Sequence, residues 1–118
     1  MARRMNELGY TQPEYEDQVR ERERLSSTAF TNFAIPHPVR LCSERSGISV
    51  LVSPTPVLWG ETRVSLVVML AFCRSDRALF YEVFDPLVSV LSNPEQVRDL
   101  SRIHNYEDFI TKLSELID

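Results

Sequence analysis

Histidine occurs twice in this sequence, at His37 and His104, and the first sits in an unusual frame. The stretch "SSTAFTNFAIPHPVR", residues 26–40, sets His37 between Pro36 and Pro38. An imidazole has a reference pKa of about 6.5, so near neutral pH its uncharged form is a good nucleophile. A phosphoryl group on its nitrogen is labile and can be passed on. That chemistry needs a ring of fixed direction, donors for the phosphoryl oxygens, and a positive charge beside them. Pro36 and Pro38 stiffen the backbone and favour extended conformations at Ile35 and His37. Ser26, Ser27, Thr28 and Asn32 offer hydroxyl and amide donors, with Arg22 and Arg24 upstream and Arg40 downstream. The reading requires an accessible, neutral ring with a guanidinium close enough for a dianion to fit between them. The plain alternative is a solvated loop histidine beside a solvated "RERER" helix face. From composition alone that alternative is the commoner outcome.

Other chemistries find little support. There is no HExxH and no Ser-His-Asp order, and two histidines are too few for most zinc sites, so neither metal nor cofactor is expected. Three glycines leave no Gly-rich phosphate cradle. Cys42 and Cys73 form no CxxC and read as reduced thiols of a cytoplasmic protein. Cys73 ends an apolar run, while Cys42 lacks the flanks of a phosphocysteine loop. Trp59 reads as a strand-end side chain packed on a sheet. His104 reads as a surface residue beside a helix cap. The net charge of −4 argues against nucleic acid as a direct partner and fits an acidic face for a basic protein. The longest apolar run, in "VSLVVMLAFC", is about half a membrane span, so no membrane insertion is expected.

The elements that must hold His37 follow from periodicity and punctuation. Residues 1–8 read as a helix ending at Gly9, and residues 13–25 as a second, opened by a capping box of Thr11 and Glu14 around Pro13. Only Tyr15 and Val19 are apolar on that second helix, which predicts a surface position. Residues 46–54 and 63–73 read as strands, the latter apolar on both faces as a central strand would be. "PTPVLWGE" reads as the connection between them, with room for a short edge strand. Phe80, Val83, Phe84, Leu87, Val88 and Leu91 recur at helical spacing, with Pro86 expected to kink or reset the helix and Asp85 as its fresh cap. Asn93 with Pro94, and Asn105, cap two further helices. The sum is an α/β (α+β) layered domain, a mixed β-sheet flanked by helices.

Arg22-Glu23, then Ser26-Ser27-Thr28, Asn32, and Ala34-Ile35-Pro36-His37 resemble the active-site signature of phosphotransferase-system IIA domains of the mannitol/fructose class. "LGYTQPEY", "LVVMLAF", "FYEVFDPLVSVLSN" and "YEDFITKL" also fall where that family has its elements. The resemblance implies one such domain over residues 1–118, either lacking its N-terminal strand or excised from a longer chain. It implies that His37 takes a phosphoryl group from the carrier HPr, that Arg22 is the charge partner, and that Glu23, Ser26, Ser27, Thr28 and Asn32 shape the pocket. It further implies a cytoplasmic protein, a IIB domain as a recipient, and leaves homodimerisation open. Two departures stand out. Many members carry a second histidine where this chain has Phe80, and the gap from Thr28 to Ala34 is a residue short, which leaves Thr31 and Asn32 open. The "SSTAF…N…AIPHP" wording is similar to the IIA-like domains of sugar-operon regulators and antiterminators. There, phosphorylation adds roughly −1.5 to −2 charges as a signal.

Overall fold

The computed structural model describes residues 1–117; Asp118 lies outside the described residues. The elements run α1 (Ala2–Glu7), α2 (Glu14–Leu25), β1 (Asn32–Ala34), β2 (Gly47–Trp59), β3 (Thr62–Ala71), a 3-10 turn (Arg74–Asp76), α3 (Arg77–Leu91), α4 (Pro94–Leu100) and α5 (Tyr106–Ile117). The sheet order is β1-β3-β2, with β1 parallel and β2 antiparallel to β3. Every residue of β3 from Val64 to Ala71 is buried, as its nearly all-apolar sequence predicts.

Alternation along β3 divides the core. Leu66, Val68 and Leu70 face α3, α4 and α5, where they meet Phe80, Leu87, Leu91, Val97, Leu100, Phe109 and Leu113. Met69 and Ala71 face the other way, onto Met5 of α1 and Tyr15 and Val19 of α2. The two apolar residues of α2 therefore anchor it to the sheet while its other positions face outward. Tyr15 is completely covered, and its hydroxyl donates to the Leu70 carbonyl at 2.5 Å. Burial pushes its phenol well above the usual range. Trp59 packs beside Ala34 and Val67, as a strand-end side chain.

Three local expectations give way to the tertiary context. The Thr11 capping box does not form: Pro13 is the N-cap of α2, no side chain bonds the helix start, and the buried Thr11 hydroxyl has no partner among the described residues. β2 does not stop at Pro54 but runs on to Trp59. It pairs with β3 on both sides of an irregularity between Val52 and Val57 and turns through Gly60 at φ +64°. An edge strand can carry prolines because one side of its backbone needs no ladder partner. Nor does Pro86 end α3, which is continuous. A helix-interior proline costs about 3 kcal/mol, whereas burying a large apolar side chain is worth roughly 1.5–3 kcal/mol. Phe80, Leu87 and Leu91 are all buried on this helix and outweigh the break. The predicted caps do form at Asn93, whose Oδ1 accepts from Glu95 N at 3.0 Å, and at Asn105, which accepts from Asp108 N at 3.2 Å. No helix among the described residues is long and apolar enough to cross a membrane.

Candidate functional site

The site is assembled where β1 ends. Ile35 N donates to the Thr28 carbonyl at 3.2 Å, and Leu70 N donates to the Pro36 carbonyl at 2.9 Å. These bonds tie the "AIPHP" segment to the preceding loop and to β3. His37 is half-buried. Its ring lies 5.6 Å from Phe80 and 5.4 Å from Phe84, centroid to centroid, the latter edge-on. Aromatic walls on α3 thus set the ring's direction.

His37 Nδ1 lies 2.9 Å from the Ile35 carbonyl oxygen. A carbonyl can only accept, so Nδ1 carries the proton and the lone pair of the neutral ring is on Nε2. Among the described residues Nε2 has no hydrogen-bond partner, so its lone pair is uncommitted. Burial lowers the His37 pKa most; the Ile35 carbonyl opposes this, Arg22 lowers it further, and Glu23 raises it. The net direction is downward, which keeps the ring uncharged at neutral pH.

His37 and Arg22 line one cavity of about 770 Å³, with Arg40, Arg74 and Arg77 also on its walls and Asp85 the single acid. Arg22 sits in the last turn of α2, and its Nη1 donates to the Ser26 carbonyl at 2.6 Å. The solvated-face reading of "RERER" holds for its neighbours, since Arg20 pairs with Glu16 at 3.0 Å and Arg24 with Glu21 at 3.3 Å. Arg22 makes no ion pair among the described residues, so its charge is not neutralised by a carboxylate.

The other predicted pocket residues divide. Thr28 is buried, and Glu23 accepts from its backbone N–H at 3.1 Å and from its hydroxyl. That clamp fixes the turn between α2 and β1 and makes Glu23 a loop anchor. Ser26 and Ser27 are exposed on the turn, and Ser27 Oγ accepts from Ala29 N at 3.1 Å. Asn32 does not line the His37 cavity. The irregular β1–β3 register at this residue, with φ +74°, directs its side chain to Ser65 in a separate cavity. Arg74 and Arg77 escaped the sequence reading. Their signal was "RSDR", two cations placed where β3 hands over to α3.

The profile of a family described as "Phosphoenolpyruvate-dependent sugar phosphotransferase system, EIIA 2" matches residues 1–116. The chain belongs to this family. EIIA 2 relatives of two kinds resemble it. The transcriptional regulator ManR of Bacillus subtilis is 30% identical over 114 residues, 96% of this chain but 18% of the regulator. The mannitol-specific phosphotransferase enzyme IIA component of Halalkalibacterium halodurans is 31% identical over 114 residues, 93% of this chain and 77% of that protein. The chain thus spans about a fifth of the regulators it matches, and most of the free-standing component. Among solved structures, the Escherichia coli complex of enzyme IIA(Mtl) with phosphorylated enzyme IIB(Mtl) superimposes with a TM-score of 0.75 at 20% identity, covering 94% of this chain and 80% of that one. At that identity the likeness establishes the fold. The mixed sheet flanked by helices is the EIIA 2 fold.

Proposed function

We propose that this EIIA 2 domain accepts a phosphoryl group on Nε2 of His37, with phosphorylated HPr as donor, and that the modification serves as a regulatory signal. One observation carries the reading: a half-buried neutral imidazole, its Nδ1–H donated to the Ile35 carbonyl and its Nε2 free, shares a cavity with the Arg22 guanidinium, which has no carboxylate partner among the described residues. In the step, the Nε2 lone pair attacks phosphorus, the donor's P–N bond breaks, and the donor ring takes back its electron pair. His37 is left as an N-phosphorylated imidazolium, stabilised by the Ile35 carbonyl at Nδ1–H. Arg22 offsets the charge of the arriving oxygens, and Glu23, through Thr28, holds the Ser26–Thr28 turn that frames them. Such a reaction belongs to the cytoplasm, where donor and acceptor meet. Residues 1–118 act as one such domain.

The regulatory role is favoured by two features. Phe80 stands beside His37 where many members carry a second histidine, so no second base assists onward transfer. The matches also include ManR and a probable licABCH operon regulator of Bacillus subtilis, each aligned with this chain over 18% of its length. In such a chain the partners would be HPr and the regulator's other domains, or a second copy. The mannitol-specific IIA relatives favour a second reading, relay from HPr to a IIB domain. Incubation with phosphoenolpyruvate, enzyme I, HPr and a IIB domain separates the two. Label that stays on His37 supports the signal, and label that reaches IIB within seconds supports the relay. Label surviving His37→Ala overturns the site.

A further inference from the structure

A second cavity, of about 450 Å³, shares no lining residue with the His37 cavity. It is built from Asn32 at the start of β1, Ser65 of β3, Arg98 of α4, and Ser101, Arg102 and His104 of the turn after α4. We propose that this cavity binds a small phosphate-type oxyanion.

Its charge is the first reason. Two guanidinium groups, of Arg98 and Arg102, line a wall that contains no acid, in a chain whose net charge is −4. Neither Arg98 nor Arg102 has an ion-pair partner among the described residues, although Glu95 and Asp99 lie on the same helix. Cations at a helix C-terminus are explained in part by the dipole. The dipole does not account for the strand side of the cavity, which supplies the second reason. Among the described residues Asn32 is the one non-glycine residue with positive φ, at +74°. Such a backbone costs on the order of 1 kcal/mol and persists where surrounding contacts hold it. Here the buried Ser65 hydroxyl donates to Asn32 Oδ1 at 2.9 Å. With Oδ1 turned to Ser65, the Asn32 amide is oriented, and its two Nδ2 hydrogens have no partner among the described residues. The cavity thus offers two guanidinium groups and the Asn32 amide as donors, which suit an anionic ligand rich in acceptor oxygens. The volume exceeds that of bare phosphate, so a phosphomonoester also fits.

The test uses the ¹⁵N-labelled chain carrying His37→Ala, which removes the imidazole of the other cavity. Inorganic phosphate, glycerol 3-phosphate and sodium chloride at matched ionic strength are titrated separately. The Asn32 side-chain amide and the backbone amides of 101–104 are followed. Either phosphate should shift these signals saturably while chloride leaves them in place. Arg98→Gln with Arg102→Gln should weaken binding at least tenfold. Asn32→Gly, which adopts the same φ without strain, should weaken it several-fold. Tighter binding of glycerol 3-phosphate identifies a phosphomonoester as the occupant, and equal binding identifies free phosphate. Shifts that follow ionic strength with any salt, or a double variant that binds like its parent, overturn the proposal.

Discussion

Replacing Phe80 by histidine puts an imidazole where the phenyl ring now faces His37 at 5.6 Å between centroids. Phe80 is 8% exposed and also meets Phe72 at 5.5 Å, Tyr81 at 5.5 Å and Phe84 at 5.6 Å. Loss of the buried phenyl removes part of the roughly 1.5–3 kcal/mol its burial supplies, and each disturbed ring pair adds about 0.5–1.5 kcal/mol. A destabilisation of about 2–4 kcal/mol results, against about 5–15 kcal/mol for a domain of ordinary stability. The variant should stay folded and melt on the order of 10 °C lower. The gain is kinetic. A second titratable ring beside phospho-His37 can supply acid–base assistance, which contributes about 10²–10⁴-fold where geometry is good. Here the lower end applies, since the new ring enters a wall shaped for phenyl. Transfer from His37 to a IIB domain, followed by rapid quench with radiolabelled phosphoenolpyruvate, should accelerate on the order of a hundredfold. Phe80→Leu, similarly apolar but without a nitrogen, should give no acceleration. If folded Phe80→His accepts label at His37 and passes it to IIB within threefold of the parent rate, the missing ring does not limit relay and the reasoning fails.

Arg22→Gln removes the charge proposed to face the phosphoryl oxygens. A charge-assisted hydrogen bond is worth about 1.5–3 kcal/mol, so the rate of His37 labelling should fall roughly ten- to a hundredfold, with the fold intact by circular dichroism. Because Arg22 lowers the His37 pKa, the same variant should raise it, as a histidine-detected NMR titration would register. Burial depresses the His37 pKa in the folded state, so its neutral form contributes stability above the unfolded value of about 6.5, and that contribution is lost as pH falls through the folded value. The urea midpoint of the parent should therefore fall more steeply between pH 7 and pH 5 than that of His37→Gln; parallel slopes would contradict the assigned burial. Tyr15→Phe removes the hydroxyl that donates to the Leu70 carbonyl and should destabilise by about 0.5–1.5 kcal/mol without changing His37 labelling, since it acts on the far face of the sheet.

Much of this domain was legible from local pattern. The apolar run of β3 specified a strand covered on both faces, Asn93 and Asn105 marked helix starts, and the prolines around His37 marked a stiffened ring beside Arg22. These are properties of neighbouring residues, where backbone restriction, capping and periodicity act over a few positions. What local pattern missed depends on partners distant in the chain. Pairing with β3 carries β2 past Pro54 and Pro56, and core burial carries α3 through Pro86, because long-range burial and ladder bonds outweigh a local break. Only the fold brings Arg74 and Arg77 to the His37 cavity and turns Asn32 toward Ser65. The protonation of the ring was equally out of reach. It rests on how the fold sets the Ile35 carbonyl against Nδ1, and that contact leaves Nε2 as the atom able to react.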